Sequence, residues 1–121
     1  MNSKKILIID DDSRNIFALT ATLKSRFYDC ISCLSAPEAI EILKKNADID
    51  IILIDMMMPE MDGYDAIPLI KELPNYKNIP VIAVTAQAMT GDKEKCLQAG
   101  ADDYISKPIN VDKLMLVLNS H

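Results

Sequence analysis

The sequence lacks any long run of apolar residues. A helix that crosses a bilayer needs about 20 of them, and the longest uninterrupted apolar stretches of this chain are far shorter. The first residues also lack the charged and apolar pattern of a signal peptide. We therefore expect a cytoplasmic protein that has no membrane partner.

An excess of positive charge is also missing. The chain has 13 lysine and arginine residues against 18 aspartate and glutamate residues, which gives a net charge of −5. Binding to nucleic acid through its phosphates requires a basic surface, so we expect no nucleic-acid partner. At 121 residues, 50% of them hydrophobic, the chain has the size and composition of one globular domain, and we assign residues 1–121 to it.

Histidine and cysteine are scarce. His121 is the only histidine, and the three cysteines are Cys30, Cys33 and Cys96. Cys30 and Cys33 form a C-x-x-C pattern, but the local sequence is typical of a strand, where residues three apart face opposite sides. A structural zinc site needs about four ligands. We therefore interpret the cysteines as reduced structural thiols.

Three short apolar runs are present, and each ends at an oxygen-bearing side chain. Ile6–Ile9 precedes Asp10, Ile51–Ile54 precedes Asp55, and Val81–Val84 precedes Thr85. Such runs are typical of parallel strands that are buried on both faces. The carboxyl ends of these strands share one edge of the sheet, where ligands bind. Carboxylates and a hydroxyl should therefore meet at that edge.

Strand and helix patterns alternate five times. Predicted strands are Lys5–Asp10, Asp29–Leu34, Ile51–Asp55, Val81–Thr85 and Asp103–Ser106. Predicted helices are Ser13–Arg26, a second from a capping box at Ser35–Glu38 to Lys45, Gly63–Leu73, a fourth that ends at Gly100, and Val111–Leu118. This alternation predicts an α/β fold, a flavodoxin-like doubly wound parallel sheet with order 2-1-3-4-5 and five helices. Its switch point lies between the first and third strands, next to the aspartates.

Individual helices carry further signals. Asp12 or Ser13 should cap the first helix, and Asn110 the last. Pro68 lies inside the third helix, where it predicts a kink. The first helix should bury apolar residues at helical spacing: Ile16, Leu19, Leu23 and Phe27.

Crowded carboxylates favour a hard cation. Two carboxylates about 5 Å apart repel by roughly 3 kcal/mol at an effective dielectric constant near 20. Mg²⁺ takes oxygen ligands, and Mn²⁺ suits the same set. Asp11 and Asp55 can provide carboxylates, Asp10 can hold a coordinated water, and the loop after Asp55 can add a backbone carbonyl.

Asp55 stands alone at the end of its strand, which makes it a candidate nucleophile for a phosphoryl group. Lys107 follows the last strand, where its ammonium can pair with a phosphoryl oxygen, and Thr85 can donate its hydroxyl to another phosphoryl oxygen.

Met57 and Gln87 lie two residues beyond Asp55 and Thr85. Their side chains should flank the path of an attacking water and so modulate the lifetime of the phosphoryl group.

Over nearly its whole length the sequence resembles the receiver domains of two-component response regulators. The matching segments are Ile8–Asp12, Leu53–Gly63, Val84–Ala86 and Gly100–Pro108. The segment Gly91–Gly100 is most similar to receivers attached to hybrid sensor histidine kinases.

This resemblance implies that Asp55 accepts a phosphoryl group from the phosphohistidine of a histidine kinase or phosphotransfer protein. It further implies that Asp10, Asp11 and the backbone carbonyl of Met57 bind Mg²⁺, that Thr85 and Tyr104 form a switch pair, and that the Lys107–Pro108 bond is cis. The face formed by the fourth helix, fifth strand and fifth helix would then signal to a downstream protein or output domain. Such a domain switches state but is not an enzyme that turns over a separate substrate.

Other functions compete with this interpretation. A Mg²⁺-dependent phosphatase with an aspartate nucleophile would use an Asp-x-Asp motif, but Arg14 stands where that superfamily has threonine or valine, and the chain has no room for a cap domain. A degenerate receiver that acts only as an interaction module would not need the full set of polar residues: Asp10, Asp11, Asp55, Thr85 and Lys107. A flavin-binding role would need a phosphate-binding loop after the first strand, which the sequence lacks.

Overall fold

The computed structural model describes residues 4–45, 48–86 and 91–121. In these ranges strands and helices alternate as predicted. The strands are β1 (Lys5–Ile9), β2 (Asp29–Cys33), β3 (Ile51–Asp55), β4 (Val81–Thr85) and β5 (Asp103–Ser106). The helices are α1 (Ser13–Ser25), α2 (Ala36–Lys45), α3 (Gly63–Lys71), α4 (Asp92–Ala99) and α5 (Val111–Asn119).

The five strands form one parallel sheet in the order β2-β1-β3-β4-β5, which confirms the predicted doubly wound topology. The register aligns Ile9 with Ile54, Asp55 with Val84, and Thr85 with Ser106. These pairs place the last residues of four strands side by side. The polar residues at the strand ends therefore share one edge of the sheet.

Helices cover the sheet on both faces. Side chains of α2, α3 and α4 pack on one face, among them Leu43, Ile67 and Cys96. Leu23 of α1 and Leu114 of α5 pack on the other face. The strands alternate between these two layers, as a doubly covered sheet requires.

Most of the helix-end signals are confirmed. The Asp12 side chain accepts a hydrogen bond from the Arg14 N–H and caps α1, and Asn110 caps α5 through the Lys113 N–H. The Ser35 hydroxyl accepts a hydrogen bond from the Glu38 N–H at 3.3 Å. Gly100 adopts the left-handed conformation at the end of α4, with φ of 113°. Pro68 lies within α3, which ends at Lys71 rather than at the predicted Leu73.

One predicted core position is wrong. Helical spacing predicts that Phe27 continues the buried stripe of the first helix, but its side chain is 84% exposed. α1 ends at Ser25, and Phe27 has φ of 70°, which reverses the chain direction before β2. The residue therefore no longer follows helical spacing.

The two cysteines of the C-x-x-C pattern lie on opposite faces of the sheet, as predicted. Cys30 packs against the layer of α1 and α5, and Cys33 against the layer of α2, α3 and α4. All three cysteines are unpaired thiols. No helix in the described ranges has the length and apolar character needed to cross a membrane.

Candidate functional site

The predicted polar residues meet at the carboxyl edge of the sheet. Asp10 directly follows β1, Asp55 ends β3 and Thr85 ends β4. All three are buried, with exposed fractions of 2%, 4% and 4%. Its position at a strand end predicts a solvent-facing side chain for Asp55, but the structure buries it.

Three carboxylates form a compact cluster. One oxygen from each of Asp10, Asp11 and Asp55 lies within 4.8 Å of the other two. Asp11 is exposed, so the cluster has an open side that faces solvent. These are hard oxygen donors, the type that Mg²⁺ prefers.

Hydrogen bonds orient Asp55 from two sides. Its Oδ1 accepts a bond of 2.9 Å from the backbone N–H of Met57, and its Oδ2 accepts one of 3.0 Å from Lys107 Nζ. Burial raises the pKa of Asp55 above its ordinary value, and the charge of Asp10 raises it further, although both hydrogen bonds oppose this rise. Burial therefore outweighs the two hydrogen bonds and the nearby ammonium in setting this pKa.

Lys107 is the cation that joins the strand ends. Its Nζ lies 3.8 Å from Asp10 Oδ2, in addition to the shorter contact with Asp55. Burial alone would lower the pKa of Lys107, but its hydrogen bond to Asp55 and the charges of the three aspartates outweigh this and raise it. The Lys107 backbone N–H donates to the Thr85 carbonyl at 2.7 Å, and the Lys107–Pro108 bond is cis, as predicted.

In the loop after Asp55, the backbones of Met56 and Gly63 lie in close contact. The Gly63 N–H donates to the Met56 carbonyl at 3.2 Å. A Cβ at Gly63 would lie 2.9 Å from the Cα of Met56, which is closer than real Cβ atoms come, and would also strike its side chain. Any side chain at Gly63 would therefore displace the loop that carries Met57.

Met57, Thr85 and Tyr104 lie on the α4 side of the site. Met57 is 66% exposed and, with Thr85 and Tyr64, lines a pocket of about 610 Å³. Tyr104 on β5 is half-buried, and Lys93 Nζ of α4 lies 5.8 Å from the centre of its ring. Gln87 lies outside the described residues.

Sequence reasoning missed Asn15. Its side-chain Nδ2 donates to Asp10 Oδ2 at 2.5 Å. The available signal was a side-chain amide in the first turn of a helix that follows an acidic strand end. Such a turn lies directly beside the strand end.

The response regulator receiver domain family model matches residues 6–119. Among curated relatives, the signal transduction histidine-protein kinase BarA of Escherichia coli K12 is 42% identical over 109 residues, which are 90% of this chain and 12% of BarA. The response regulator PleD of Caulobacter vibrioides is 37% identical over 94% of this chain and 24% of its own length. The polar-differentiation response regulator DivK of Brucella ovis is 34% identical over 98% of this chain and 96% of its own length.

The chain thus spans about an eighth of the kinase and about a quarter of PleD, but nearly all of DivK.

Among solved structures, the receiver domain of the sensor histidine kinase PA1611 from Pseudomonas aeruginosa PAO1 has a TM-score of 0.89 and 34% identity, covering 98% of this chain and 97% of that one. That structure has a magnesium ion coordinated in its active site cleft. Histidine kinases and response regulators are both among the relatives. The fold and the matched sequence together show that this chain belongs to the receiver domains of two-component signal transduction.

Proposed function

We propose that residues 1–121 form one receiver domain that acts as a phosphorylation switch, with Asp55 as the acceptor of the phosphoryl group. The observation that carries this proposal is the arrangement around Asp55. A lysine ammonium lies 3.0 Å from its Oδ2, and oxygens of Asp10 and Asp11 lie within 4.8 Å of its carboxylate. A nucleophile, a counter-charge and oxygen ligands are thus collected at one point.

The residues present fit a divalent cation. The cluster offers only oxygen donors, it is open on the side of Asp11, and its three carboxylates outnumber the ammonium of Lys107 beside them. A bound Mg²⁺ or Mn²⁺ would be held by Asp10, Asp11, Asp55 and the backbone carbonyl of Met57. It would neutralise charge on the transferring phosphoryl group.

The transfer itself requires little covalent chemistry from the protein. A carboxylate oxygen of Asp55 forms a new P–O bond while the P–N bond to the donor imidazole breaks, and the electron pair of that bond stays on the imidazole nitrogen. Lys107 holds the carboxylate in place beforehand and can then share its three N–H donors with a phosphoryl oxygen. Thr85, at the end of the neighbouring strand, donates its hydroxyl to another oxygen. Positioning and charge neutralisation provide the acceleration.

The partners follow from the family to which the chain belongs. The phosphoryl donor is the phosphohistidine of a histidine kinase or a histidine phosphotransfer protein. The signal leaves through the face of α4, β5 and α5, where Tyr104 responds to Thr85, and reaches a downstream protein or output domain. We place the protein in the cytoplasm, which suits its three unpaired thiols. It turns over no separate substrate.

Incubation with Mg²⁺ and acetyl phosphate tests the proposal by intact mass. A stoichiometric adduct that hydroxylamine removes supports an acyl phosphate, and Asp11→Asn should slow its formation by weakening Mg²⁺ binding. Continuous release of phosphate over many turnovers would instead indicate the phosphatase. A wild-type protein without any adduct would indicate the degenerate module.

A further inference from the structure

Asn15 makes a hydrogen bond that neither helix α1 nor the sheet requires. It is the third residue of α1, and the cap formed by Asp12 brings this first turn back towards the end of β1. From there Asn15 Nδ2 donates to Asp10 Oδ2 at 2.5 Å. The bond joins the side chain of a helix residue to a carboxylate that the proposed function assigns to the metal.

Asp10 has little other support. Only 2% of its surface is exposed, so its oxygens depend mainly on donors within the protein. Its Oδ1 accepts a bond of 2.9 Å from the Asp12 N–H, and its Oδ2 has Asn15 as its hydrogen-bond donor. Lys107 Nζ lies 3.8 Å from that Oδ2, beyond hydrogen-bond length. Loss of Asn15 would leave a buried carboxylate oxygen that attracts the nearest cation.

The nearest cation is already engaged. Lys107 Nζ is 3.0 Å from Asp55 Oδ2, which is 0.8 Å shorter than its 3.8 Å distance from Asp10 Oδ2. A neutral amide satisfies Asp10 without adding positive charge to the cluster. A second cation in that place would compete with Mg²⁺ for the same oxygens.

We propose that Asn15 is a positioning residue for the acidic cluster. Its amide fixes the orientation of Asp10 towards the metal and leaves Lys107 free to pair with Asp55. Each carboxylate oxygen of Asp10 keeps a second lone pair, which can bind the cation or one of its waters. This inference rests on the proposed function. It adds Asn15, which acts through Asp10 rather than by contact with the phosphoryl group or its donor.

A set of variants separates hydrogen bonding from packing. Asn15→Ala removes the amide and its volume, whereas Asn15→Leu keeps a side chain of the same length that also branches at Cγ but cannot donate. Thr22→Ala is the matched control, because Thr22 lies on the same helix and, like Asn15, lines the groove between α1 and α5. Mg²⁺ affinity of each unphosphorylated protein is measured by calorimetric titration.

The expected loss is about 10–100-fold in Mg²⁺ affinity for both Asn15 variants, the range for residues that orient metal ligands. Thr22→Ala should bind Mg²⁺ like the wild type. With acetyl phosphate, the Mg²⁺ concentration for half-maximal rate should rise in the Asn15 variants, while saturating Mg²⁺ restores most of the maximal rate. A merely structural defect would lower the active fraction at every Mg²⁺ concentration.

A second measurement, made in the absence of metal, reports on the side chain of Lys107. In both Asn15 variants the side-chain ¹⁵N resonance of Lys107 should shift, because the ammonium moves towards Asp10. If Asn15→Leu binds Mg²⁺ as tightly as the wild type, Asn15 acts through packing and the inference is wrong. A wild-type protein that binds no Mg²⁺ would overturn the proposed function together with this inference, whereas Mg²⁺ binding that is equally tight in all variants would overturn the inference alone.

Discussion

Lys107 and Asp55 form a hydrogen-bonded ion pair of 3.0 Å across two strands that are not neighbours. β4 lies between β3 and β5, so the lysine side chain crosses the end of the intervening strand. Its backbone is anchored there by the hydrogen bond of 2.7 Å to the Thr85 carbonyl. This anchor explains how a long, flexible side chain is held over one carboxylate.

Removal of this ammonium should slow phosphorylation of Asp55. Lys107→Met keeps most of the aliphatic stem but provides no donor for the developing phosphoryl charge. We expect the rate with acetyl phosphate at saturating Mg²⁺ to fall by about 10²–10³-fold, as for other donors to transition-state charge. Lys113→Met, which changes an exposed lysine of α5, is the control. Equal rates for both variants would show that Lys107 has no role in the transfer.

Asp55→Asn should abolish the adduct and leave the fold intact. In the folded, metal-free protein burial raises the pKa of Asp55, so the folded state binds this proton more tightly than the unfolded chain does. Stability from this group is therefore present at low pH and is lost as the pH rises through the folded pKa. Asparagine cannot ionise, so the Asp55→Asn variant does not lose stability in this way as the pH rises.

The variant should consequently melt at a higher temperature than the wild type at neutral pH in EDTA, and the difference should close on acidification. Thermal melts across the acidic range provide the measurement. Full labelling of the same peptide in Asp55→Asn would contradict the assignment of the acceptor, and a lower melting temperature at neutral pH would contradict the electrostatic argument.

Met57 and Gln87 should set the lifetime of the phosphoryl group. Met57 is exposed and lines the pocket beside Thr85, where a bulky apolar side chain obstructs an approaching water. Gln87 cannot act as a base. We expect faster hydrolysis in the double variant Met57→Asn, Gln87→Glu, measured by phosphate release after removal of the donor. Equal or slower decay in that variant would count against this role.

Cys33 should behave as an inert core thiol. Burial raises its pKa to about 11, whereas the unfolded chain titrates near the ordinary value of 9.0. Stability is therefore complete below about pH 9 and falls as the pH rises towards 11, by up to about 3 kcal/mol. Cys33→Ala should show a smaller loss of stability between pH 8 and pH 10.5 in denaturant titrations. An identical loss in both proteins would mean that this thiol does not titrate on unfolding.

Much of this architecture could be predicted from the sequence because its signals are local. The runs Ile6–Ile9 and Ile51–Ile54 have no polar residue to face water, so they fit only the centre of a covered sheet. Strand order then places Asp10 beside Asp55. Capping residues such as Asn110 act within one turn, and their positions are correct.

The features that were not predicted depend on tertiary contacts. Asp55 is buried, and nothing in its own sequence neighbourhood shows this. Phe27 fits helical spacing by sequence, but the turn before β2 takes it out of the helix. The bond from Asn15 to Asp10 requires the entry angle of α1, which the spacing of five residues alone does not determine.

The signal should leave the site through a contact between α4 and β5. Lys93 Nζ lies over the ring of Tyr104 at 5.8 Å from its centre, a cation–π geometry worth about 0.5–1 kcal/mol at exposed sites. Phosphorylation should add a charge-assisted hydrogen bond at Thr85, worth about 1.5–3 kcal/mol, and we expect it to draw the Thr85 hydroxyl inward and open space for Tyr104. The Lys93 contact should oppose that movement of the ring.

Lys93→Met should therefore shift Tyr104 towards its activated position before phosphorylation, by about two- to fivefold in population. Lys93→Arg keeps the cation and should resemble the wild type. The ring resonances of Tyr104 and amide exchange in α4, recorded with and without a beryllofluoride mimic of the phosphoryl group, measure the shift. If beryllofluoride changes only the loops around Asp55, while residues 91–100 and Tyr104 stay silent, this route for the signal is wrong. If Tyr104 responds but Lys93→Met and Lys93→Arg behave alike, the ring moves without control by Lys93.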